Sequence, residues 1–239
     1  MGQRRICIGD VHGHYDTLMA LLELVAPGTG DAVYFLGDLI DRGPKSADII
    51  EFVRRSSYQS LLGNHEMMML EAIANDGSVQ QETFIAWYHS GGANTLQSYN
   101  HRIPAEHLQW LRQRPTHLDL GDVWLVHAGL SPHLPIEQQG AEQFCWVRSE
   151  FHSMTQPYFA NKLIIVGHTI TFTFPGVQPG QVVQGPGWLD IDTGVYHTKS
   201  GWLTAFDIDQ RQIYQVNSHT AEKRQLPLDA IAVTPFLSF

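Results

Sequence analysis

Short apolar runs and amphipathic stretches alternate along the first third of the chain. "RRICIG", "AVYFLG" and "YQSLLG" are the runs, and "TLMALLELV" and "SADIIEFVRR" lie between them. In the first amphipathic stretch Leu18, Leu21, Leu22 and Val25 recur at helical spacing, which predicts one buried face. Continuous apolar runs between such helices predict parallel strands covered on both sides, hence a βαβαβ opening. From Glu66 to about Arg114 the pattern is helical, in "EMMMLEAIA", "ETFIAWYHS" and "AEHLQWLRQ", with Pro104 suited to a first turn. From Thr116 it turns to strands: "THLDL", "VWLVHAG", "LIIVGHT", "QVVQ", "WLDIDTG", "WLTAFDID" and "RQIYQV". A chain that begins α/β and finishes mostly β predicts an α/β fold on the α+β border, with two packed mixed sheets flanked by helices.

Composition adds limits. The 239 residues are 43% apolar, enough for a sizeable core, and no repeat or composition shift divides them. We expect a single domain over 1–239, with a core at 5–217 and a C-terminal extension at 218–239. The net charge of −9 argues against nucleic-acid and anionic-membrane partners. It leaves a phosphorylated substrate open, because a bound metal makes one cleft locally positive. No apolar run approaches the roughly 20 residues that span a bilayer, and the expected setting is cytoplasmic, as a monomer. Cys7 falls inside a predicted strand, so Cys7 and Cys145 are not expected to form a disulfide.

Five apolar runs end in side chains able to bind metal. "ICIGDVHGH" ends at Asp10 and His12, "YFLGD" at Asp38, "SLLGNHE" at Asn64, "VWLVHAG" at His127 and "LIIVGH" at His168. Strand ends on one sheet edge bring remote residues to a common crevice. Turn chemistry alone has no reason to choose oxygen and nitrogen donors at each of them. Six donors exceed what one ion needs if a water position stays open, so two ions are implied. Asp38 is the candidate bridge across roughly 3.5–4 Å. A set without thiolate suits Mn, Fe, Co, Ni or Zn better than Ca, and Mn is the expected metal.

"GDVHGHYD", "GDLIDRGP", "GNHE", "HAGLSP" and "GHT", in this order between Gly9 and Thr169, resemble the PPP-type metallophosphatases, the serine/threonine protein phosphatase superfamily. "WYHSGGANTL" and "WVRSEF" resemble its compact bacterial and phage branch, which includes phage lambda phosphatase. The resemblance implies a calcineurin-like metallophosphatase fold. It implies one metal on Asp10, His12 and Asp38, and a second on Asp38, Asn64, His127 and His168. His65 becomes the general acid, oriented by Asp41, and Arg42 and Arg148 become the phosphate clamp. The chemistry agrees with these roles, since guanidinium groups bind phosphate oxygens bidentately and a carboxylate keeps a neighbouring imidazole protonated. Glu66 is read as an anchor for the start of its helix, and Asp192 as a hydrogen-bond partner for a metal-bound imidazole.

The expected activity is therefore metal-dependent hydrolysis of phosphoserine and phosphothreonine in a phosphorylated protein, with phosphotyrosine and small esters as further substrates. Symmetrical dinucleoside tetraphosphate hydrolases share most of these motifs and form the alternative. "LLGNH" favours them, while Glu66 and the shorter chain stand against them. A silent module that binds phosphorylated partners is the third reading, opposed by the intact donor set.

Overall fold

The computed structural model of the chain describes residues 3–74 and 76–235. The opening is the expected alternation: β1 (Arg5–Ile8), α1 (Tyr15–Val25), β2 (Ala32–Phe35), α2 (Ser46–Arg55) and β3 (Gln59–Ser60). Helices follow, α3 (Asn64–Ala72), α4 (Gln81–Trp87), a π-helical turn Tyr88–Gly92, α5 (Ala93–Ser98) and α6 (Ala105–Arg112). The second half holds β4 (His117–Asp119), β5 (Val123–Val126), the short α7 (Ala141–Trp146) and α8 (Ser149–His152), and β6 (Leu163–Val166). It continues with β7 (Val182–Gly185), β8 (Trp188–Asp190), β9 (Trp202–Asp207), β10 (Gln212–Asn217), β11 (Lys223–Pro227) and β12 (Ala232–Val233).

These strands form two mixed six-stranded sheets, ordered β11-β10-β9-β1-β2-β3 and β12-β7-β8-β6-β5-β4. In the first, β1, β2 and β3 run parallel and β9 returns antiparallel to β1. In the second, β5, β6 and β8 are parallel. Successive side chains of a strand point to opposite faces, which explains the uninterrupted apolar runs. Ile6 and Ile8 of β1 face the α1 and α2 side chains Leu18, Leu21 and Ile49, whereas Cys7 packs between the sheets with Leu125, Ile165 and Phe206. Across that interface Ile165 of β6 points inward, while Ile164 and Val166 face Phe144, Phe151 and Trp188 on the outer side. The layers are helix, sheet, sheet and helix, as the order of elements predicts.

Burial pushes both free thiols upward in pKa, and neither is in a disulfide. The segment 218–239, set apart in the sequence as an extension, supplies in its described part an edge strand to each sheet: β11 beside β10 and β12 beside β7. Residues 236–239 of the apolar tail lie outside the described residues. Among the described residues no helix is long and apolar enough to cross a membrane.

Candidate active site

The loops that follow β1, β2, β3, β5 and β6 converge at one end of the two sheets. They carry Asp10, His12, Asp38, Asn64, His127 and His168 into a single cluster, each side chain buried. Asp38 stands at its centre. Its Oδ2 lies 3.5 Å from His12 Nε2 and its Oδ1 3.4 Å from His127 Nε2. Asn64 Oδ1 is 2.9 Å from both His127 Nε2 and His168 Nδ1, and Asp10 accepts the His168 amide. His12, Asp38 and His65 form one group of converging donors, and Asp38, His127 and His168 a second.

The backbone fixes which face each imidazole presents. His12 Nδ1 is 2.8 Å from the Ile40 carbonyl and His127 Nδ1 is 2.9 Å from that of Leu36, so each Nδ1 carries the proton and donates. Burial pushes His12, His127 and His168 below the ordinary imidazole range, which keeps them neutral. The Nε2 lone pairs of His12 and His127 therefore point at the Asp38 carboxylate, acceptor against acceptor. Only a cation between them turns that repulsion into attraction, and the donor set fits divalent metal on this ground. Burial alone would raise Asp38, but the ring of imidazoles around it, of which His65 is the one kept protonated, holds the carboxylate well below its usual range. Asp10 is pushed the other way by burial and by its neighbours Asp192 and Asp38.

The loop conformations needed here are uncommon. His12, Asp38, Asp41, Arg42 and His168 all have positive φ, between 44° and 72°, a region that side chains with a Cβ enter at a cost. Identifiable contacts hold them there. Buried Glu66 accepts four amides: Oε2 takes those of Asp38 and Gly63, and Oε1 those of Leu39 and Ile40, at 2.8–3.2 Å. The helix-anchor reading of Glu66 is thus half of its role, the other half being the Asp38 loop. Gly63 is required by crowding, since a Cβ there would fall 2.2 Å from Asp38 Oδ1.

His65 and Asp41 meet as expected. His65 Nδ1 donates to Asp41 Oδ2 at 2.7 Å, and although burial opposes its charge, Asp38 and Asp41 raise its pKa above the usual value. Asp41 is itself gripped by Trp87 Nε1 at 3.0 Å and Thr95 Oγ1 at 2.7 Å. Arg42 places Nη2 2.9 Å from His65 Nε2, and its backbone is tied to Gly91 and to the Asn94 amide. The "WYHSGGANTL" stretch is thereby explained as the brace of "DR". Its π-helical turn bends at Gly91, φ 123°, where a Cβ would strike Arg42.

Arg148 reaches the rim from the start of α8, donating to the His168 carbonyl at 3.1 Å and to Thr169 Oγ1 at 3.2 Å. Asp192 does not meet a ligand imidazole. Its Oδ1 accepts the Gly194 amide, and the imidazoles of His12 and His127 are held by backbone carbonyls instead, because the loops after β2 already present them. Tyr196 was not legible beforehand. It comes from the loop between β8 and β9, packs edge-on against His12 and lies under the Arg42 guanidinium at 4.0 Å.

A family model described as calcineurin-like phosphoesterase matches residues 4–183. A symmetrical bis(5'-nucleosyl)-tetraphosphatase of Actinobacillus succinogenes is 36% identical over 131 residues, 52% of this chain and 44% of that protein. One of Methylobacillus flagellatus is 39% identical over 136 residues, 55% of this chain and 45% of its own. The chain thus covers less than half the length of these relatives. A solved structure of a candidate diadenosine tetraphosphatase superposes with a TM-score of 0.66 at 20% identity, covering 94% of this chain and 93% of its own. The last shows the fold alone. The two sequence relatives overturn the expectation of a serine/threonine phosphatase with a phosphorylated protein as partner. Both groups share the motifs that position metal and phosphate, so those motifs could not separate them.

Proposed function

The chain belongs to the calcineurin-like phosphoesterase family, and from that premise we propose that it hydrolyses dinucleoside tetraphosphates symmetrically, releasing two nucleoside diphosphates. The observation that carries this reading is the 36–39% identity to symmetrical bis(5'-nucleosyl)-tetraphosphatases, combined with two groups of converging donors that share Asp38. Asp10, His12 and Asp38 would hold one divalent cation, and Asp38, Asn64, His127 and His168 a second, with manganese the metal of choice. When bound, such ions acidify water and neutralise charge on phosphoryl oxygens.

The chain's own residues supply the rest. Arg42 and Arg148 bind and orient the phosphates, as permanent cations with fork geometry. Tyr196 restricts the Arg42 side chain by stacking beneath it. His65, held by Asp41, donates a proton at Nε2 to the departing oxygen. In a tetraphosphate that oxygen belongs to a nucleoside diphosphate, a far better leaving group than an alkoxide. The proton therefore matters less for this substrate than for an alkyl ester.

The test is incubation of manganese-loaded protein with diadenosine tetraphosphate, with products resolved by ion exchange. ADP alone is expected. AMP with ATP, or no turnover while an aryl phosphate is cleaved, would overturn the proposal.

A further inference from the structure

Beside Arg148 lies a recess of about 230 Å³, lined among others by His152, Thr169, Thr173, Phe174 and Pro175. We propose that this recess receives the base of a nucleoside diphosphate whose phosphates Arg148 holds. The inference rests on the tetraphosphatase reading and names where one half of that substrate sits.

Three features carry it. First, Arg148 is both a wall of the recess and a neighbour of the metal-donor loop, since its Nη1 bonds the His168 carbonyl. A phosphate chain at that guanidinium has its nucleoside end within reach of the recess. Second, the floor is aromatic and fixed. The rings of His152 and Phe174 meet edge to face at 4.9 Å, and both are buried. His152 is held by its Nδ1, which donates to the Arg148 carbonyl at 2.9 Å. Third, polar groups stand around that apolar floor. Thr169 Oγ1 accepts from Arg148 and keeps its own proton for an acceptor, and exposed Thr173, whose proton goes to the Ile170 carbonyl, offers its hydroxyl oxygen as an acceptor. A flat heteroaromatic ring with a polar edge suits an aromatic surface flanked by hydroxyls. A peptide backbone would leave its amides unpaired against this floor.

The test uses isothermal titration of the manganese-loaded full chain with ADP and, separately, inorganic pyrophosphate. Wild-type protein should bind ADP at least about tenfold more tightly. Thr173→Trp and Ser149→Trp, at two exposed positions that line the recess, should each reduce that preference to about twofold or less. Cooperative thermal unfolding checks that each variant is folded. No ADP preference in wild type, or one that survives in a folded variant, overturns the recess. Clean release of ADP from diadenosine tetraphosphate alongside an insensitive preference would remove the recess and keep the function. A sensitive preference without such hydrolysis would overturn the function and keep the nucleotide site.

Discussion

The two ends of the sheets treat charge in opposite ways. At the starting end of β1, Arg5 pairs with Asp209 and, across to the second sheet, with Asp122, while Arg4 pairs with Asp31. The side chains of Arg5, Asp209 and Asp122 are 24, 33 and 63% exposed, and every donor meets an acceptor. At the finishing end Asp10, His12, Asp38, Asn64, His127 and His168 are buried, lone pairs face carboxylates, and the backbone adopts positive φ. The same strands thus end in a solvated clasp on one side and an internally unsatisfied cluster on the other. Function lies where local preferences and global fold disagree, because only a ligand resolves the conflict there.

Breaking the unsatisfied end should have the largest effect. Asp38→Ala is expected to lower kcat on diadenosine tetraphosphate by about a thousandfold or more, with loss of bound metal by elemental analysis. Asp10→Asn sharpens the point: it should also lower turnover, yet raise the melting temperature of metal-free protein, since it removes a carboxylate that burial disfavours. His65→Asn should cost roughly a hundredfold on an alkyl phosphate and clearly less on the tetraphosphate. Equal losses on both would remove its acid role. Arg42→Ala should lose about 2 kcal/mol of transition-state stabilisation, roughly 30-fold in kcat/KM.

Away from the cluster the expected effects fall on stability and not on turnover. Burial pushes His152 down to about 4, so between pH 6.5 and 4 the unfolded chain binds a proton that the folded one refuses. Stability of the metal-free protein should therefore fall as pH drops through that window, by about 3 kcal/mol from this group. Urea titrations should show a shallower fall in His152→Gln. At the solvated clasp, Arg5→Ala should cost only about 1 kcal/mol and leave kcat unchanged. A large loss of activity there would erase the contrast between the ends.

Much of this was legible because it is written in local patterns. The apolar face Leu18, Leu21, Leu22 and Val25 is buried as its spacing implies, and the runs ending at Asp10, Asp38, Asn64, His127 and His168 do converge. Strand ends carry their own position, so donors on them can be found from sequence. Supporting groups cannot be found that way. Trp87 and Thr95 look like ordinary helix residues, and only the bend at Gly91 and the packing of α5 turn them toward Asp41. Tyr196 reaches Arg42 through a loop whose path depends on both sheets. The strands β11 and β12 were missed because one alternates weakly among polar residues and the other has two residues. The substrate class was missed for a different reason: metal and phosphate geometry is common to esters and anhydrides, and the motifs encode only that.

The seating of Glu66 and Asp38 at the start of α3 has a further consequence. In many folds the exposed amides at such a helix end form a cradle for an incoming anion. Here the Gly63 amide is capped by Glu66 and the His65 amide by Asp38 Oδ1. That electropositive tip is already neutralised by the polypeptide's own carboxylates. Recognition of an anionic guest is consequently delegated to long, movable guanidinium arms and to exchangeable ions, so affinity should be tunable through ionic conditions without disturbing the helix.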